Sequence, residues 1–264
     1  MWLTSADLGD APVRVGRQAT GFGFCISEVD YAPGWRQPPH AHESTGVTLV
    51  VAGGFRETAC GREESASSLS VVVKPAGVVH ADEIGPEGAR TVLVEIEDPV
   101  LLPERLGPWR WLHAGPGVRP LLALAAALRG EARPIEDTVL DLLGEVSDTG
   151  RTAPREPPAW VRRAREALDD ADPSAARVRV LADVLDVHPV SLARAFRRHF
   201  GLPVTAYRRR VRLRRAAAQL AGSRRQLTRI AHAAGFADHA HMCREIRAAT
   251  GCTPTELRAI ARPR

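Results

Sequence analysis

Arg229-Ile230-Ala231-His232-Ala233-Ala234-Gly235-Phe236-Ala237-Asp238 reads as a short helix, a tight turn and the entry to a second helix. Gly235 suits a turn position with positive φ. Asp238 is placed to cap the helix that follows. The pattern occurs twice. Leu181-Ala182 corresponds to Ile230-Ala231 at an offset of 49, and Leu192, Arg194, Phe196, Gly201 and Tyr207 correspond to Met242, Arg244, Ile246, Gly251 and Leu257 at an offset of 50. The one-residue change falls in the turn, where an insertion is best tolerated. In the first copy, Pro189 fits the opening turn of the longer helix. Phe196, Phe200 and Phe236 are the expected fillers of two small cores.

Charge separates this region from the rest of the 264-residue chain. Residues 1–150 carry 12 basic and 21 acidic side chains, a net of −9, whereas residues 151–264 carry 24 and 10, a net of +14. A basic half joined to an acidic half points to a nucleic-acid module attached to something else. Arginine supplies nearly all the positive charge, since Lys74 is the only lysine. That bias fits GC-rich coding, so a given Arg is not evidence of selected geometry. Between the halves, Thr152-Ala153-Pro154-Arg155-Glu156-Pro157-Pro158 reads as a linker, because three prolines in five residues favour extended backbone. The expected division is a domain over 1–150, a linker over 151–159 and a second domain over 160–264.

The acidic half reads as β. Val47–Ala52, Leu69–Val73 and Arg90–Ile96 are apolar runs separated by turn-prone pieces such as Ala52-Gly53-Gly54 and Ile84-Gly85-Pro86-Glu87-Gly88, a spacing that suits a sandwich or barrel. Helical patterns follow at Pro120–Arg129 and at Ile135, Val139, Leu142, Leu143 and Val146, which share one helix face. That stripe serves either the domain's own core or a surface pairing two copies. No apolar run approaches the ~20 residues of a membrane span. The start of the sequence lacks the basic and apolar regions of a secretion signal. Cys25, Cys60, Cys243 and Cys252 make no CxxC pair, which suits reduced thiols. A cytoplasmic protein is expected.

Residues 160–262 resemble the DNA-binding domain of AraC/XylS-type regulators. Arg229–Asp238 matches the second turn of that family. Gly251-Cys252-Thr253-Pro254-Thr255-Glu256-Leu257-Arg258 matches its C-terminal GxTPxxYR signature, with Leu257 in place of the usual Tyr. Met242 and Ile246 stand where the family often has Phe, and these swaps keep the positions apolar. The resemblance implies a bacterial transcription regulator, an activator or a repressor, that binds double-stranded DNA, works with RNA polymerase and pairs as a homodimer. It implies two helix-turn-helix units joined by one long helix over Thr205–Ala221. Each unit would lay its second helix into the major groove, at faces about 34 Å apart. Val190, Ala193, Arg194 and Arg197 would face DNA from the first such helix, and His239, His241 and Arg244 from the second. Arg194 and Arg244 are the candidates for bidentate contact to guanine. In the connector, Arg212 and Arg215 are candidates for phosphate contact, with other arginines making structural ion pairs.

Gly34-Trp35-Arg36-Gln37-Pro38-Pro39-His40-Ala41-His42 and Pro75-Ala76-Gly77-Val78-Val79-His80 resemble the two cupin motifs. The fold expected from both resemblances is α+β: an N-terminal cupin-like β-barrel with trailing helices, then an all-α domain with two helix-turn-helix units. In metal-binding cupins two histidines, a following Glu and a later His converge on one ion. The chain departs at the carboxylate, whose position falls on Gly46 or Val47. Glu43 would point away from His42 on a strand. His40, His42 and His80 can still form a three-histidine set for a divalent metal such as Zn, Ni, Mn or Fe, with affinity falling as pH drops through about 6.5. Two other readings stay open: the histidines line a pocket for an organic effector, or they do neither. The leading functional reading is a regulator whose barrel senses a small molecule or metal and which is not an enzyme. The alternative is a cupin metalloenzyme with a DNA-binding tail.

Overall fold

The computed structural model describes residues 12–103, 106–131, 134–147, 157–170 and 178–262. Most of the expected linker, residues 151–156, lies outside them; Pro157 and Pro158 lead into a helix. The acidic half forms one antiparallel sheet rolled into a barrel. Its strands are β1 (Val13–Gly21), β2 (Phe24–Tyr31), β3 (Arg36–His40), β4 (Thr45–Ala59), β5 (Arg62–Ser67), β6 (Ser70–Lys74), β7 (His80–Ile96) and β8 (Arg110–His113). The order is β1-β2-β7-β4-β6-β8, with β3 added on β7 and β5 on β4.

The roll comes from two long strands that bend together. The first part of β7, around 80–84, pairs with β3 and the far end of β4, and its last part, 89–96, pairs with β2 and the near end of β4. The pieces expected as turns, Ala52–Gly54 and Ile84–Gly88, therefore lie inside continuous strands. Register shifts at Val50/Ala52 and Gly53/Phe55 mark the bend. The glycines are there for close approach. A Cβ on Gly53 (φ +65°) would sit 2.0 Å from the Gly88 carbonyl oxygen, and one on Gly88 (φ +74°) 2.7 Å from that of Tyr31.

Alternation then sends side chains to two buried faces. Val50, Phe55, Ala59, Val72 and Ile84 fill the barrel with Trp109. Val47, Leu49, Val51, Val71, Val73, Val92, Val94 and Ile96 face outward and are covered by helices. The cover includes α1 (Val118–Ala127) and α2 (Ile135–Val146), followed in the chain by α3 (Ala159–Asp170).

The basic half continues with α4 (Val178–Val184), α5 (Pro189–Phe200), α6 (Val204–Gly222), α7 (Leu227–Ala233), α8 (His239–Thr250) and α9 (Pro254–Ala261). Here α6 is the single connecting helix that the resemblance implies. The repeat is physical: Leu181, Ala182, Leu192 and Phe196 are buried as are Ile230, Ala231, Met242 and Ile246. Gly201 and Gly251 both end their helices in the left-handed region at φ 76°. Gly235 has the expected positive φ, 85°, and its counterpart Asp186 adopts φ 52°. Asp238 caps α8 by accepting from the His241 N–H at 2.6 Å. Pro189 opens α5, whose cap is His188. A capping box, Thr253 with Glu256, starts α9.

The halves share one core. Leu213, Ala216, Ala217 and Leu220 of α6, with Ile230, Met242, Ile246, Leu257 and Ile260, belong to the cluster under the sheet's outer face. Polar ties edge this contact. Arg165 of α3 pairs with Glu64 of β5 at 3.0 Å. Arg214 of α6 donates to Ser67 Oγ at 3.0 Å. Arg129, just past α1, pairs with Glu28 of β2 at 2.7 Å and donates to the Ala259 and Ile260 carbonyls of α9, each at 2.8 Å.

The apolar stripe of α2 belongs to this same core and not to a surface between copies. Val139, Leu142, Leu143 and Val146 are each at most 3% exposed, and Ile135 packs beside them. Val139→Glu together with Leu143→Glu should therefore unfold the protein, because each buries an unpaired charge costing several kcal/mol against a total stability of about 5–15 kcal/mol. Leu140→Glu, at a position 56% exposed, should shift stability by no more than about 0.5 kcal/mol. Urea melts followed by circular dichroism decide it; a folded monomeric double variant would return the stripe to an interface.

Candidate functional site

Two regions carry chemistry. The first is the outer face of the two helix-turn-helix units. In α5, Val190, Ala193, Arg194 and Arg197 are all exposed, and their spacing of three, one and three places them on one helix face. In α8, His239 and Arg244 are exposed and His241 is half-buried. The His241 ring stands edge-on to Phe236 at 5.4 Å, with Nε2 4.0 Å from Glu245. His239 Nε2 lies 3.2 Å from Cys243 Sγ, one turn further along.

The connector arginines divide differently from the expectation. Arg215 donates to the Asp169 carbonyl at the end of α3, and Arg214 approaches the Asp169 carboxylate at 3.6 Å. Arg212 lies over the Phe236 ring at 5.6 Å, and Arg209 pairs with Glu245. Arg212 and Arg215 are thus half-buried groups seated on protein.

The second region is one end of the barrel interior. His40 ends β3 and His80 begins β7, and the two are direct cross-strand partners. His42 follows two residues later. Ring centroids are 4.1 Å apart for His40–His80, 4.8 Å for His40–His42 and 5.0 Å for His42–His80. The three offer ligand atoms all within 4.8 Å of one another. His40 Nδ1 donates to the Pro38 carbonyl at 2.8 Å and His80 Nδ1 to that of Val78 at 3.3 Å. These bonds leave the lone pair on Nε2. In both rings Nε2 is buried and has no hydrogen-bond partner among the described residues. Neutral imidazoles oriented by backbone carbonyls, with bare Nε2 atoms converging, form the usual arrangement of histidine metal ligands. These residues fit a divalent cation.

A polar constellation that the sequence did not reveal lies beside them. Glu57 of β4, fully buried, accepts from Trp109 Nε1 at 2.9 Å and Trp111 Nε1 at 2.7 Å and pairs with Lys74 Nζ at 2.5 Å. Asp82 sits 4.0 Å from Lys74 and 3.7 Å from His80 Nε2. Burial pulls the Lys74 ammonium down, but Glu57 and Asp82 outweigh it and hold its pKa above the ordinary value. Two signals could have flagged the group. Glu57 sits between Phe55 and Ala59 on the inward face of an alternating strand, and Lys74 is the lone lysine of an arginine-rich chain. A cavity of about 30 Å³ beside His42 and Asp82 is lined also by Tyr31, Gln37, Thr48 and Lys74. It has room for one or two waters.

Burial, with the neighbouring imidazoles, lowers His42 to about 3; burial, Lys74 and His40 lower His80 to about 4. Both values lie below the ordinary 6.5. Between about pH 6.5 and 4 the unfolded chain therefore binds protons at these two positions that the folded protein does not. Their contribution to metal-free stability is full above pH 6.5 and is lost as pH falls through that window. Urea midpoints from pH 7.5 to 4.5 should fall more steeply for the unsubstituted protein than for His42→Ala/His80→Ala. Parallel curves would show that these rings stay solvated.

Residues 181–260 match the family described as a helix-turn-helix domain. No curated protein matches the chain. Among solved structures, the C-terminal domain of AraT, a response regulator from Geobacillus stearothermophilus, is 22% identical over 42% of this chain and 92% of its own, with a TM-score of 0.39. ToxT from Vibrio cholerae is 9% identical over 90% of this chain and 98% of its own, with a TM-score of 0.40. KdgF from Halomonas sp. is 20% identical over 34% of this chain and 84% of its own, with a TM-score of 0.30. No helix among the described residues is long and apolar enough to cross a membrane. With the repeated helix-turn-helix geometry and the capped α8 turn, the matched segment is a helix-turn-helix domain, and the chain joins it to a β-barrel.

Proposed function

We propose that the barrel binds a divalent cation at His40, His42 and His80, and that this binding controls how the two helix-turn-helix units engage DNA. The observation that carries the reading is the pair of buried, partnerless Nε2 atoms on His40 and His80, each opposite an Nδ1 tied to a backbone carbonyl. The small neighbouring cavity, about 30 Å³, favours an ion with one or two waters over an organic effector. A bound cation would supply a local double positive charge that ties edge strand β3 to β7. The barrel on this reading is a sensor and not an enzyme. The domain division stays as 1–150 for the sensor and 160–264 for DNA binding. The protein acts in the bacterial cytoplasm alongside RNA polymerase, as a homodimer paired through a surface other than the α2 stripe.

Titration calorimetry of the chelator-stripped protein with Zn²⁺, Ni²⁺, Mn²⁺ and Fe²⁺ tests the metal reading. Tight binding that His40→Ala/His42→Ala/His80→Ala abolishes is expected. Binding no tighter than that of the triple variant removes the reading, and substrate turnover by the loaded protein would favour the enzyme alternative.

For DNA, Val190, Ala193, Arg194 and Arg197 on α5 and His239, His241 and Arg244 on α8 form the reading surface. Arg194 and Arg244, exposed at equivalent repeat positions, are the guanine contacts. Arg194→Ala or Arg244→Ala should lose about 1–3 kcal/mol on a cognate site and relax preference at one base position. Losses equal on cognate and random DNA would reassign both to phosphate. Because Arg215 is held by Asp169, Arg215→Ala should lower the melting temperature while leaving the salt slope of DNA binding unchanged; a slope reduced by about one contact would restore its phosphate role.

A further inference from the structure

We propose that the cleft between the barrel and the helix-turn-helix domain binds a small organic oxyanion, a carboxylate or a phosphate, held between Arg119 and Arg210. The site lies apart from the three histidines and does not depend on their reading. The cleft encloses about 370 Å³ where residues 114–116 and the start of α1 face α6 and the end of α8. That volume falls within the range of small-molecule sites.

Arg210 is the observation that carries the site. Its guanidinium lies against the barrel side of the cleft: a Cβ on Gly115 would sit 3.1 Å from Nη2 and 3.2 Å from both Cζ and Nη1. Three nearly equal distances place the guanidinium plane flat over this glycine, where a larger residue would crowd it. Arg210 is half-buried, and no hydrogen bond or ion pair joins it to another described residue. Burial lowers its pKa, opposed only by the Tyr207 hydroxyl. Its neighbours on α6 are provided for, since Arg209, Arg214 and Arg215 all have acceptors on the protein. A cation withdrawn from water without a counter-charge is costly. The fork of a guanidinium matches the two oxygens of a carboxylate or phosphate.

Arg119, in the first turn of α1, lines the same cleft from the other half and also bonds to no described residue. The local charge favours an anion. Three arginines and one acid line the cleft; Arg209 is committed to Glu245, and Glu145 accepts from the Gly117 N–H at 2.8 Å. Arg119 and Arg210 are left against Glu145, an excess of one positive charge. Ala206, Leu213, Ala248 and Ala249 supply an apolar wall for a short carbon body. An anion held here joins α1 to α6 across the contact between the two halves.

Titration calorimetry of the chelator-stripped full-length chain tests this with two probes, inorganic phosphate and benzoate, at constant ionic strength in chloride. Saturable binding of at least one is expected, and the tighter probe identifies the head group. Arg210→Gln and Arg119→Gln should each weaken that binding by roughly 10-fold or more, the effect of losing a charge-assisted hydrogen bond. Failure of both probes to saturate, or binding undiminished by Arg210→Gln, overturns the site. Should Arg210→Gln not fold, Arg119→Gln, at an exposed position, carries the test with the same outcomes. If Arg210→Gln leaves probe binding unchanged but reduces the salt slope on random duplex DNA by about one contact, the guanidinium serves DNA phosphate and the site falls. The His40→Ala/His42→Ala/His80→Ala variant should bind the probes as the unsubstituted chain does, so this site and the metal site stand or fall separately.

Discussion

Burial of the central strands on both faces is the constraint on which the molecule depends. Along β4, Val47, Leu49 and Val51 point to one side while Val50 and Phe55 point to the other, and neither side reaches water. The inward side becomes a barrel interior with a polar end. The outward side needs an apolar cover larger than α1 and α2 provide, and α6 to α9 complete it. The barrel and the helix-turn-helix domain thus share a single apolar contact, in which the outer face of the sheet packs directly on α6 to α9. Inter-domain contacts within a chain are commonly more polar than obligate interfaces. Here the contact is apolar at its centre, with the arginine ties of Arg129, Arg165 and Arg214 at its edge.

The barrel's polar end shows how charge is tolerated in such an interior. Removing a lysine and a carboxylate from water costs several kcal/mol per ion, and the cost is offset only when geometry is close and remaining hydrogen bonds are made. The Lys74–Glu57 pair meets that condition through Trp109 and Trp111. His40, His80 and Asp82 make no contact that close: the His40 and His80 Nε2 atoms and Asp82 Oδ1 are buried without a hydrogen-bond partner among the described residues, and Asp82 lies 4.0 Å from Lys74. The polar end of the barrel holds both sets within one small volume. It also links the site to the rest of the molecule. Trp111 and His113 lie on the same face of β8, and His113 reaches Ser70 at 2.9 Å and Glu64 at 3.6 Å, the residue that holds Arg165.

The arginines of the basic half sort by the same logic. On the exposed face of α5 and α8, where DNA contact is proposed, Arg194, Arg197 and Arg244 reach solvent. Along α6 several are spent on carbonyls, carboxylates and an aromatic ring. A chain that encodes its positive charge almost wholly as Arg uses one residue type for both purposes, so only burial and partners tell them apart.

Much of this was legible in order of sequence range. The helix-turn-helix repeat, its Gly235 turn, its Asp238 cap and the helix over 135–146 follow from local rules of periodicity and capping that act over a few residues, and they formed where the sequence placed them. The three histidines were legible as a set because two short motifs carry them. What the sequence left undecided was decided by pairing between distant segments. Gly53 and Gly88, which look like turn residues, serve the crossing of two continuous strands, because their role is set by the chain 35 residues away and not by their neighbours. The α2 stripe had the same pattern for a core as for a dimer surface, since amphipathicity specifies that a face is buried and not against what. Asp82, Glu57 and Lys74 come together only when β4, β6 and β7 align in register. The sequence alone determined the helices of the basic half and the set of three histidines; the tertiary structure decided what each apolar face covers and which charges meet, because burial and electrostatic partnership are properties of the packed chain.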